Sequence, residues 1–400
     1  MLRTLKVTVR LYYADPTVLA FDAEVTRVLE HEGRPAVVLD RTAFYPSSGG
    51  QPFDVGRLGD ADVLDVVDQE HEIVHVLSTP LPSGARVAGQ IDAARRLDHM
   101  QQHTGQHVLS AAFDRLFANE TVSFHMGAEV STIDLAKPVT WNDAAQAIDV
   151  ANGIVWENRP VSIRFVSASE AAALPLRKDP ARGGEIRLIE VDDFDLSACG
   201  GTHVSRTGAI GIVAALAIDK LRGGARVTFV CGRRALRTLD TYREAVSGSA
   251  RVLSVLPQEL PSAIGRLHDE GRELRKVLTR AQARLAQLEG ERLARDAEPI
   301  GNVRLVARVI EGWDVAGLKM LASAVASQEG VVAVLVSAAR PASVVIARGA
   351  GVAADAGELL RALVTKFGGR GGGKQDIAQG GGFDADPEAI VSAARERVGS

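Results

Sequence analysis

Two pairs of metal-binding side chains stand at matching spacing in two distant parts of the sequence. His103 and His107 are four residues apart, and Cys199 and His203 are also four apart. On a helix, a spacing of four places both imidazoles on one face, and the two glycines inside the second pair allow a tight turn. Imidazole and thiolate ligands together favour zinc. The four residues therefore predict a Zn²⁺ site.

Each pair alone also has a simpler explanation. Two histidines on a helix are often a solvated polar face, and a cysteine beside a turn is often a small buried apolar residue. Four protein ligands are typical of a closed structural zinc site, whereas catalytic zinc keeps one position open. The sequence leaves open whether the ion would activate water or would only position a substrate.

The histidine pair requires a helix, and the pattern around it predicts one from Asp98 to Phe117. Asp98 is the expected N-cap, with Gln101 three residues later as in a capping box. An apolar stripe follows at helical spacing: Val108, Ala111, Ala112 and Leu116. A second helix is predicted over 141–158, because Pro160 disfavours its continuation.

Short predicted strands lie on both sides of the histidine helix. Before it, residues 1–90 alternate apolar segments such as 21–25 and 34–40 with glycine turns, which predicts a small β-barrel or a sandwich. After it, strands are predicted at 161–166, 186–191, 210–216 and 226–230. Helices interleaved with these strands make residues 91–247 an α+β domain that would hold the zinc.

Residues 248–298 are predicted to form a helical linker that ends before Pro299. Apolar or small residues recur there in alternating steps of three and four: Ile264, Leu267, Gly271, Leu274, Leu278, Ala281, Leu285 and Leu288. This heptad seam predicts a long helix or a helical hairpin. It would join two copies of the chain into a homodimer, or it would pack against a neighbouring helix of the same chain.

Residues 299–400 are predicted to form a small α/β domain. Buried strands are expected at 303–310, 331–336 and 344–347, and a glycine-rich loop is expected over 368–374. The loop and Lys366 before it would suit a phosphate, although a flexible turn explains the glycines as well. No G-x-x-x-x-G-K-[ST] pattern is present, so nucleotide hydrolysis is not predicted.

Composition excludes several classes of protein. The 400 residues are 46% hydrophobic, which is too apolar for a disordered chain, yet no apolar run approaches the roughly 18 residues of a membrane helix. The first residues lack the apolar core of a signal peptide. With two cysteines, the chain has no disulfide framework. We therefore expect a cytoplasmic protein without a membrane partner.

The net charge of −4 argues against a strongly basic nucleic-acid binder, but the charge is segregated along the chain. Residues 220–243 hold seven basic residues against the single acid Asp240, and 366–374 hold three basic residues and no acid. Such segregation permits a nucleic-acid contact on one surface while the rest of the chain stays acidic.

Around the predicted metal ligands, the sequence resembles the editing domain of alanyl-tRNA synthetase. Segments 102–107 (QHTGQH) and 199–203 (CGGTH) look like its two metal-binding motifs, and 44–56 (FYPSSGGQPFDVG) resembles the Gly-Gly-Gln segment that precedes them. Segment 366–382 (KFGGRGGGKQDIAQGGG) is similar to the end of the synthetase's DHHA1-type C-terminal domain. No aminoacylation core precedes the expected barrel, so the best match is the long form of the free-standing alanyl-tRNA editing proteins.

The resemblance implies a zinc-dependent hydrolase that deacylates Ser-tRNA(Ala), and in some members Gly-tRNA(Ala). It implies that zinc is bound by His103, His107, Cys199 and His203. It also implies that the partner is tRNA(Ala) mischarged with serine or glycine, and that the C-terminal domain contacts tRNA and often dimerises.

Further residues receive roles from the same resemblance. Gln51, on the turn made by Gly49 and Gly50, would hydrogen-bond the ester, the ribose or the water. Thr121 or Ser123 would recognise the serine hydroxyl. Phosphate contacts from the C-terminal domain would come from Arg370 and Lys374.

Two alternative functions stay open at this stage. The closed set of four ligands is compatible with an inactive tRNA-binding module that contains structural zinc. A metallohydrolase for an unrelated small ester is the other alternative, with a C-terminal domain that only dimerises.

Overall fold

The computed structural model describes residues 7–69, 71–178 and 185–399. The chain divides into two compact units, Met1–Gly248 and Ser249–Ser400. Both units combine helices with sheets, so the predicted α+β class is confirmed. The finer division into four segments stays a prediction. Within the described ranges, none of the helices is both long enough and apolar enough to cross a membrane.

The first unit begins with a group of strands that pair around a closed barrel. In chain order its elements are β1 (Val9–Arg10), α1 (Leu11–Ala14), β2 (Ala20–His31), β3 (Arg34–Leu39), β4 (Arg41–Thr42), β5 (Gly56–Leu58), β6 (Ala61–Gln69), β7 (Glu72–Leu77) and β8 (Arg86–Ile91). The barrel order is β2-β3-β7-β6-β5-β8, and β1 pairs with β4 beside it. Alternate residues of these strands point inward, and Val25, Val37 and Leu58 are among the buried side chains.

The histidine helix, α2 (Ala93–Phe117), begins five residues earlier than the sequence predicts. Asp92 is its N-cap, because its carboxylate accepts a hydrogen bond from the Arg95 amide at 2.9 Å. Asp98 lies inside the helix and instead forms an ion pair with Arg234 at 2.6 Å. The prediction that Asp98 is the N-cap was wrong. Asp92 and Asp98 both precede helix-forming residues, so the local sequence does not show which of them caps the helix.

A fully buried ion pair fixes α2 to the barrel. Nη2 of Arg96 lies 2.5 Å from a carboxylate oxygen of Asp54, and both side chains are almost completely excluded from solvent. The same guanidinium donates to the carbonyl oxygens of Pro16 and Ala43. These hydrogen bonds compensate the desolvation of the charges, so the start of the histidine helix has a defined position on the barrel.

The rest of the first unit surrounds α2 with helices and two sheets. Its elements are β9 (Thr121–Met126), β10 (Ser131–Leu135), α3 (Trp141–Glu157), β11 (Val161–Val166), α4 (Ala168–Ala171), β12 (Ile186–Val191), β13 (Asp195–Ala198), β14 (Val213–Leu221), β15 (Gly224–Cys231) and α5 (Gly232–Leu253), whose last residues belong to the second unit. The sheets have the orders β14-β15-β10-β9 and β11-β12-β13. The strands predicted at 161–166 and 186–191 are confirmed, whereas β14 begins at Val213 because residues 207–210 form a 3₁₀ turn.

The second unit is a long helix followed by a mixed sheet with helices. Its elements are α6 (Leu260–Arg295), β16 (Glu298–Ile300), β17 (Val303–Ile310), α7 (Val315–Val325), β18 (Val331–Ser337), β19 (Ala342–Arg348), α8 (Ala356–Phe367), β20 (Arg370–Gly373), β21 (Ile377–Phe383) and α9 (Pro387–Gly399). The sheet order is β16-β17-β18-β19-β21-β20. The 36 residues of α6 confirm the long helix. Its buried Ala286 and Ala294 lie in the hydrophobic cluster that includes α7, and Gly290 lies against Ala324 of that helix.

The glycine-rich segment differs from its prediction as a loop. Residues Arg370–Gly373 are strand β20, which pairs antiparallel with β21 at the edge of the sheet. A side chain at Gly371 would overlap the backbone of Gly380 on the neighbouring strand. Glycine is therefore needed for the close approach of the two backbones, and its usual association with loops made the prediction wrong.

Candidate metal centre

The two predicted ligand pairs meet in the first unit. His103 and His107 lie one turn apart on α2, and Cys199 and His203 lie in the loop that follows β13. The three histidines are almost completely buried. A side chain at Gly201 would overlap the imidazole of His103, so the loop needs glycine there to approach the helix.

The donor atoms of the four residues are close enough to share one ion. The Cys199 sulfur lies 3.4 Å from Nε2 of His103 and 3.3 Å from Nε2 of His203. All the donor atoms of the group lie within 4.8 Å of one another. Ordinary Zn–S and Zn–N bonds at a tetrahedral angle place sulfur and nitrogen about 3.6 Å apart. The predicted grouping is confirmed, and it could hold a metal ion.

Each histidine of the centre has an oxygen beside its Nδ1 atom. His103 Nδ1 lies 2.8 Å from Oε1 of Gln51, and His107 Nδ1 lies 2.8 Å from Oδ2 of Asp195. His203 Nδ1 lies 3.2 Å from the hydroxyl of Thr104. A histidine that donates from Nδ1 to an oxygen has its Nε2 lone pair available for a metal. The surroundings therefore prepare all three rings to bind through Nε2.

The electrostatics of the group favour a thiolate at Cys199. Burial alone would raise the pKa of this thiol, but the neighbouring imidazole of His103 lowers it well below its usual value. Burial lowers the pKa of His203 to about 3 and keeps that ring neutral. A thiolate and a neutral imidazole are the forms that bind metal ions.

Arg187 holds the cysteine loop in place through hydrogen bonds to its backbone. Its Nη1 donates to the carbonyl oxygens of Cys199 and Gly201, at 2.7 and 3.0 Å. Its Nε donates to the carbonyl oxygen of Tyr13 at 2.9 Å, which ties the loop to the first helix of the unit. The sequence offers no sign of this role, because Arg187 lies in a strand twelve residues before the cysteine.

Gln51 is hydrogen-bonded to the metal centre, and its predicted hydrogen bond to the ester, the ribose or the water stays a prediction. Its side chain is buried, its Oε1 accepts from His103 and from the Thr202 amide, and its Nε2 donates to the Thr202 hydroxyl. Gln51 therefore supports a ligand of the metal centre. Gly49 lines the adjacent cavity, and Gly50 lies with a positive φ against the backbone of Phe124.

A cavity of about 260 Å³ opens beside the metal centre. His103, His107 and Cys199 line it, whereas His203 lines a different cavity. The other polar lining residues are Ser48, Gln106, Thr121, Ser123, Arg177, Lys178 and Ser197, and the larger apolar or aromatic ones are Tyr45, Val122 and Phe124. An ion at this centre would thus be approached from the side of three of its four ligands.

Both predicted hydroxyl residues line this cavity. The Thr121 hydroxyl donates to Ser110 at 2.7 Å, and Nε2 of Gln106 donates to the same Ser110 oxygen at 2.8 Å. Ser123 is exposed and donates to Asp134 at 2.7 Å. Sequence reasoning did not single out Gln106, although it lies between the two histidines of the motif.

The remaining predicted binding residues lie in the second unit. Arg370 begins β20, and Lys374 directly follows that strand, where its backbone amide donates to the Ile377 carbonyl. Both side chains are exposed.

Comparisons with known proteins match three parts of the chain to family models. Residues 302–400 match the DHHA1 domain, and residues 186–226 match the Threonyl and Alanyl tRNA synthetase second additional domain. Residues 5–95 match the model for tRNA synthetases class II (A). The fold and the metal centre thus belong to a protein assembled from domains that also occur in aminoacyl-tRNA synthetases.

Comparison with individual relatives identifies the family to which the chain belongs. The chain is 31% identical to the alanyl-tRNA editing protein AlaX-L of Pyrococcus horikoshii over 98% of both chains. It is 32% identical to the alanine–tRNA ligase of Pyrococcus furiosus over 95% of this chain but 42% of the ligase, so it spans about two fifths of that relative's length. The chain belongs to the alanyl-tRNA editing protein family.

A solved structure is also similar to part of the chain. It is the C-Ala domain of the alanyl-tRNA synthetase from Aquifex aeolicus, 26% identical, with a TM-score of 0.25. The match covers 26% of this chain and 98% of that domain.

Proposed function

We propose that this protein is a zinc-dependent hydrolase that removes serine from mischarged tRNA(Ala). Gly-tRNA(Ala) is a second candidate substrate. The observation that supports the proposal most is that three metal-binding side chains line a polar cavity beside a group of hydroxyl and amide side chains. Membership of the alanyl-tRNA editing protein family supports the same reaction.

Zinc is the metal that suits this donor set. One thiolate and three imidazoles are common zinc ligands, and the oxygens beside each Nδ1 atom favour binding through Nε2. When bound, zinc would lower the pKa of a coordinated water and polarise the ester carbonyl. The contribution of the chain is to hold the ligands rigidly and to keep the ester close to them.

Recognition of serine is proposed to involve Thr121. Because its hydroxyl donates to Ser110, its oxygen lone pairs remain free to accept a hydrogen bond from the serine side chain. Alanine cannot make this bond and would leave the polar group unpaired, at a cost of about 1–3 kcal/mol. Gln106 fixes the Ser110 hydroxyl from the other side and so orients Thr121.

Contacts with the tRNA are proposed for exposed cations. Lys178 is exposed at the edge of the cavity, where it is suited to a phosphate near the acylated end. Arg370 and Lys374, in the second unit, are proposed to contact the tRNA elsewhere. Both cysteines are free, which is compatible with a reducing compartment such as the cytoplasm.

A panel of mischarged tRNAs tests the proposal directly. The protein is expected to deacylate Ser-tRNA(Ala) and to spare Ala-tRNA(Ala), and a chelator or His103→Ala is expected to abolish the activity because the metal is lost. The matched control is His125→Ala, because His125 is exposed on β9 and does not line the cavity. Equal rates for chelated and loaded protein would contradict a metal-dependent reaction.

A binding module with structural zinc is the second candidate function. The closed set of four ligands favours it, since such sites usually stabilise a fold. In that case chelation would unfold the first unit, and the intact protein would bind tRNA without accelerating ester hydrolysis at any concentration. The same panel, combined with a melting curve for each sample, distinguishes the two functions.

A further inference from the structure

We propose that Asp195 is the positioning residue for the metal ligand His107, and that Arg177 holds Asp195 in place from the wall of the cavity. The inference deepens the proposed function, because it rests on an ion bound by His107 and the other three ligands. Neither residue belongs to the two ligand motifs, and neither is predicted from the sequence.

The carboxylate of Asp195 is completely enclosed by polar partners. Its Oδ2 lies 2.8 Å from Nδ1 of His107. Nε of Arg177 donates to Oδ1 at 2.6 Å, and Nη2 donates to Oδ2 at 3.2 Å. The hydroxyl of Ser197 donates to the carboxylate at 3.1 Å. The side chain has no exposed surface, so these partners together compensate its burial.

Asp195 also lies on the element that leads to the thiolate ligand. It begins β13, and Cys199 is the first residue after that strand. The strand pairs with β12 from Asp195 to Ala198. One short strand therefore supplies the oxygen that orients His107 and carries the cysteine that shares its ion, so the two ligands are positioned relative to each other.

The support of His107 differs chemically from that of the other two histidines. His103 and His203 have the neutral oxygens of Gln51 and Thr104 beside them, whereas His107 has a carboxylate. A carboxylate makes an imidazole a stronger electron donor to a metal than a neutral acceptor does. Loss of this carboxylate should therefore weaken metal binding without removing a ligand.

Arg177 is the counter-ion that makes a buried carboxylate tolerable. Two of its nitrogen atoms contact Asp195, and most of its side chain is buried. It lines both the cavity beside the metal centre and the adjoining groove. Arg177, on the wall of the cavity, thus fixes through Asp195 the orientation of His107, which lines the same cavity.

The test is Asp195→Asn with metal affinity as the readout. Asparagine offers one oxygen and one amino group, so either Arg177 or His107 would meet a donor where it needs an acceptor. We expect zinc affinity to fall about 10- to 100-fold in a competition titration with a chelating dye. With cobalt as the probe, the thiolate absorption is expected to persist, because Cys199 is still present, while the ligand-field bands shift.

Asp98→Asn is the matched control. It breaks an arginine–aspartate pair that involves the same helix as the histidines, but its carboxylate contacts Arg234 and not a metal ligand. Its zinc affinity is expected to stay within twofold of the unchanged protein. If Asp195→Asn also stays within twofold, the positioning role is wrong.

Arg177 provides a second variant in case Asp195→Asn does not fold. Arg177→Lys keeps the charge and is expected to lose less affinity than Arg177→Met, which leaves the carboxylate without a counter-ion. If both variants bind zinc as tightly as the unchanged protein does, the inference is wrong. Because these titrations contain no tRNA, a failure of Ser-tRNA(Ala) deacylation would contradict the proposed function and leave this inference standing.

Discussion

His75 is a titratable group buried completely within the barrel strands. Its Nε2 lies 2.8 Å from the Thr42 hydroxyl, and burial lowers its pKa from 6.5 to about 4. Above pH 6.5 the ring is neutral in both the folded and the unfolded chain, so the folded state has its full stability there. Between pH 6.5 and about 4 the unfolded chain takes up a proton that the folded chain does not, which should remove about 3 kcal/mol of stability.

The pH dependence of unfolding in urea measures this effect. His75→Gln keeps a hydrogen-bonding side chain but does not titrate, so it should lose about 3 kcal/mol less than the unchanged protein between pH 7 and pH 4. His268→Gln is the control, because His268 is exposed on α6 and its loss leaves His75 in place. Identical pH profiles for His75→Gln and the unchanged protein would show that His75 is not responsible.

At the same residue scale, the four metal ligands could be predicted but their supports could not. The ligands repeat a spacing of four, which local sequence displays directly. Gln51 and Asp195 reach His103 and His107 from 52 and 88 positions away, and neither spacing reflects a helix or a strand. Only the fold brings such pairs together, so the sequence does not show that Gln51 and Asp195 support the two histidines.

At the element scale, α6 has an apolar seam that the second unit leaves exposed. Ile264, Leu267, Leu274, Leu278, Leu285 and Leu288 are each about half exposed or more. In a parallel pair of these helices, Glu270 would face Arg275 of the other copy, and Arg284 would face Glu289. Both pairings are attractive, so we predict a parallel homodimer through this seam.

Light scattering tests the dimer. Leu274→Glu places a charge in the seam and should convert the dimer into a monomer, because a buried carboxylate would lack a partner. Thr279→Glu adds the same charge to the same helix at an exposed position outside the seam and should leave the mass unchanged. A monomeric mass for the unchanged protein would remove this role for α6.

The elements themselves were predicted well where hydrophobic patterns are local. Strands β11, β12 and β17 begin and end at the predicted residues, since each is a short apolar or alternating run. The start of α2 and the strand character of β20 were missed. The start of α2 was missed because two aspartates are both suitable N-caps. The strand β20 was missed because its glycines are required by close contact with β21, and the sequence of β20 alone does not show that contact.

At the scale of the whole molecule, the segregated charge is partly neutralised by folding. Arg226 pairs with Asp134, Arg234 with Asp98 and Arg243 with Asp240, so three of the seven cations in 220–243 have acidic partners. The exposed cations of the 366–374 segment are in the second unit. Among the described residues none of its three cations forms an ion pair, so this segment is the better candidate for a contact with phosphates.

Changing Arg370 and Lys374 to glutamine together should weaken tRNA binding. If each cation contacts one phosphate, the slope of log affinity against log salt should fall by about 1.5 to 2. Lys319→Gln, at an exposed position on α7, is the control and should leave the slope unchanged. A slope that does not change in the double variant would mean that this end of the chain does not contact the tRNA backbone.

An ion in the metal centre would also stabilise the folded chain against unfolding. His103 and Cys199 are 96 positions apart, so an ion bound to both acts as a cross-link that closes a loop of about 100 residues. A cross-link of that span restricts the unfolded chain by roughly 4–5 kcal/mol in the chain-entropy view. Loss of the ion would then loosen the part of the chain between α2 and the cysteine loop, so the protein without its ion would be degraded faster by proteases.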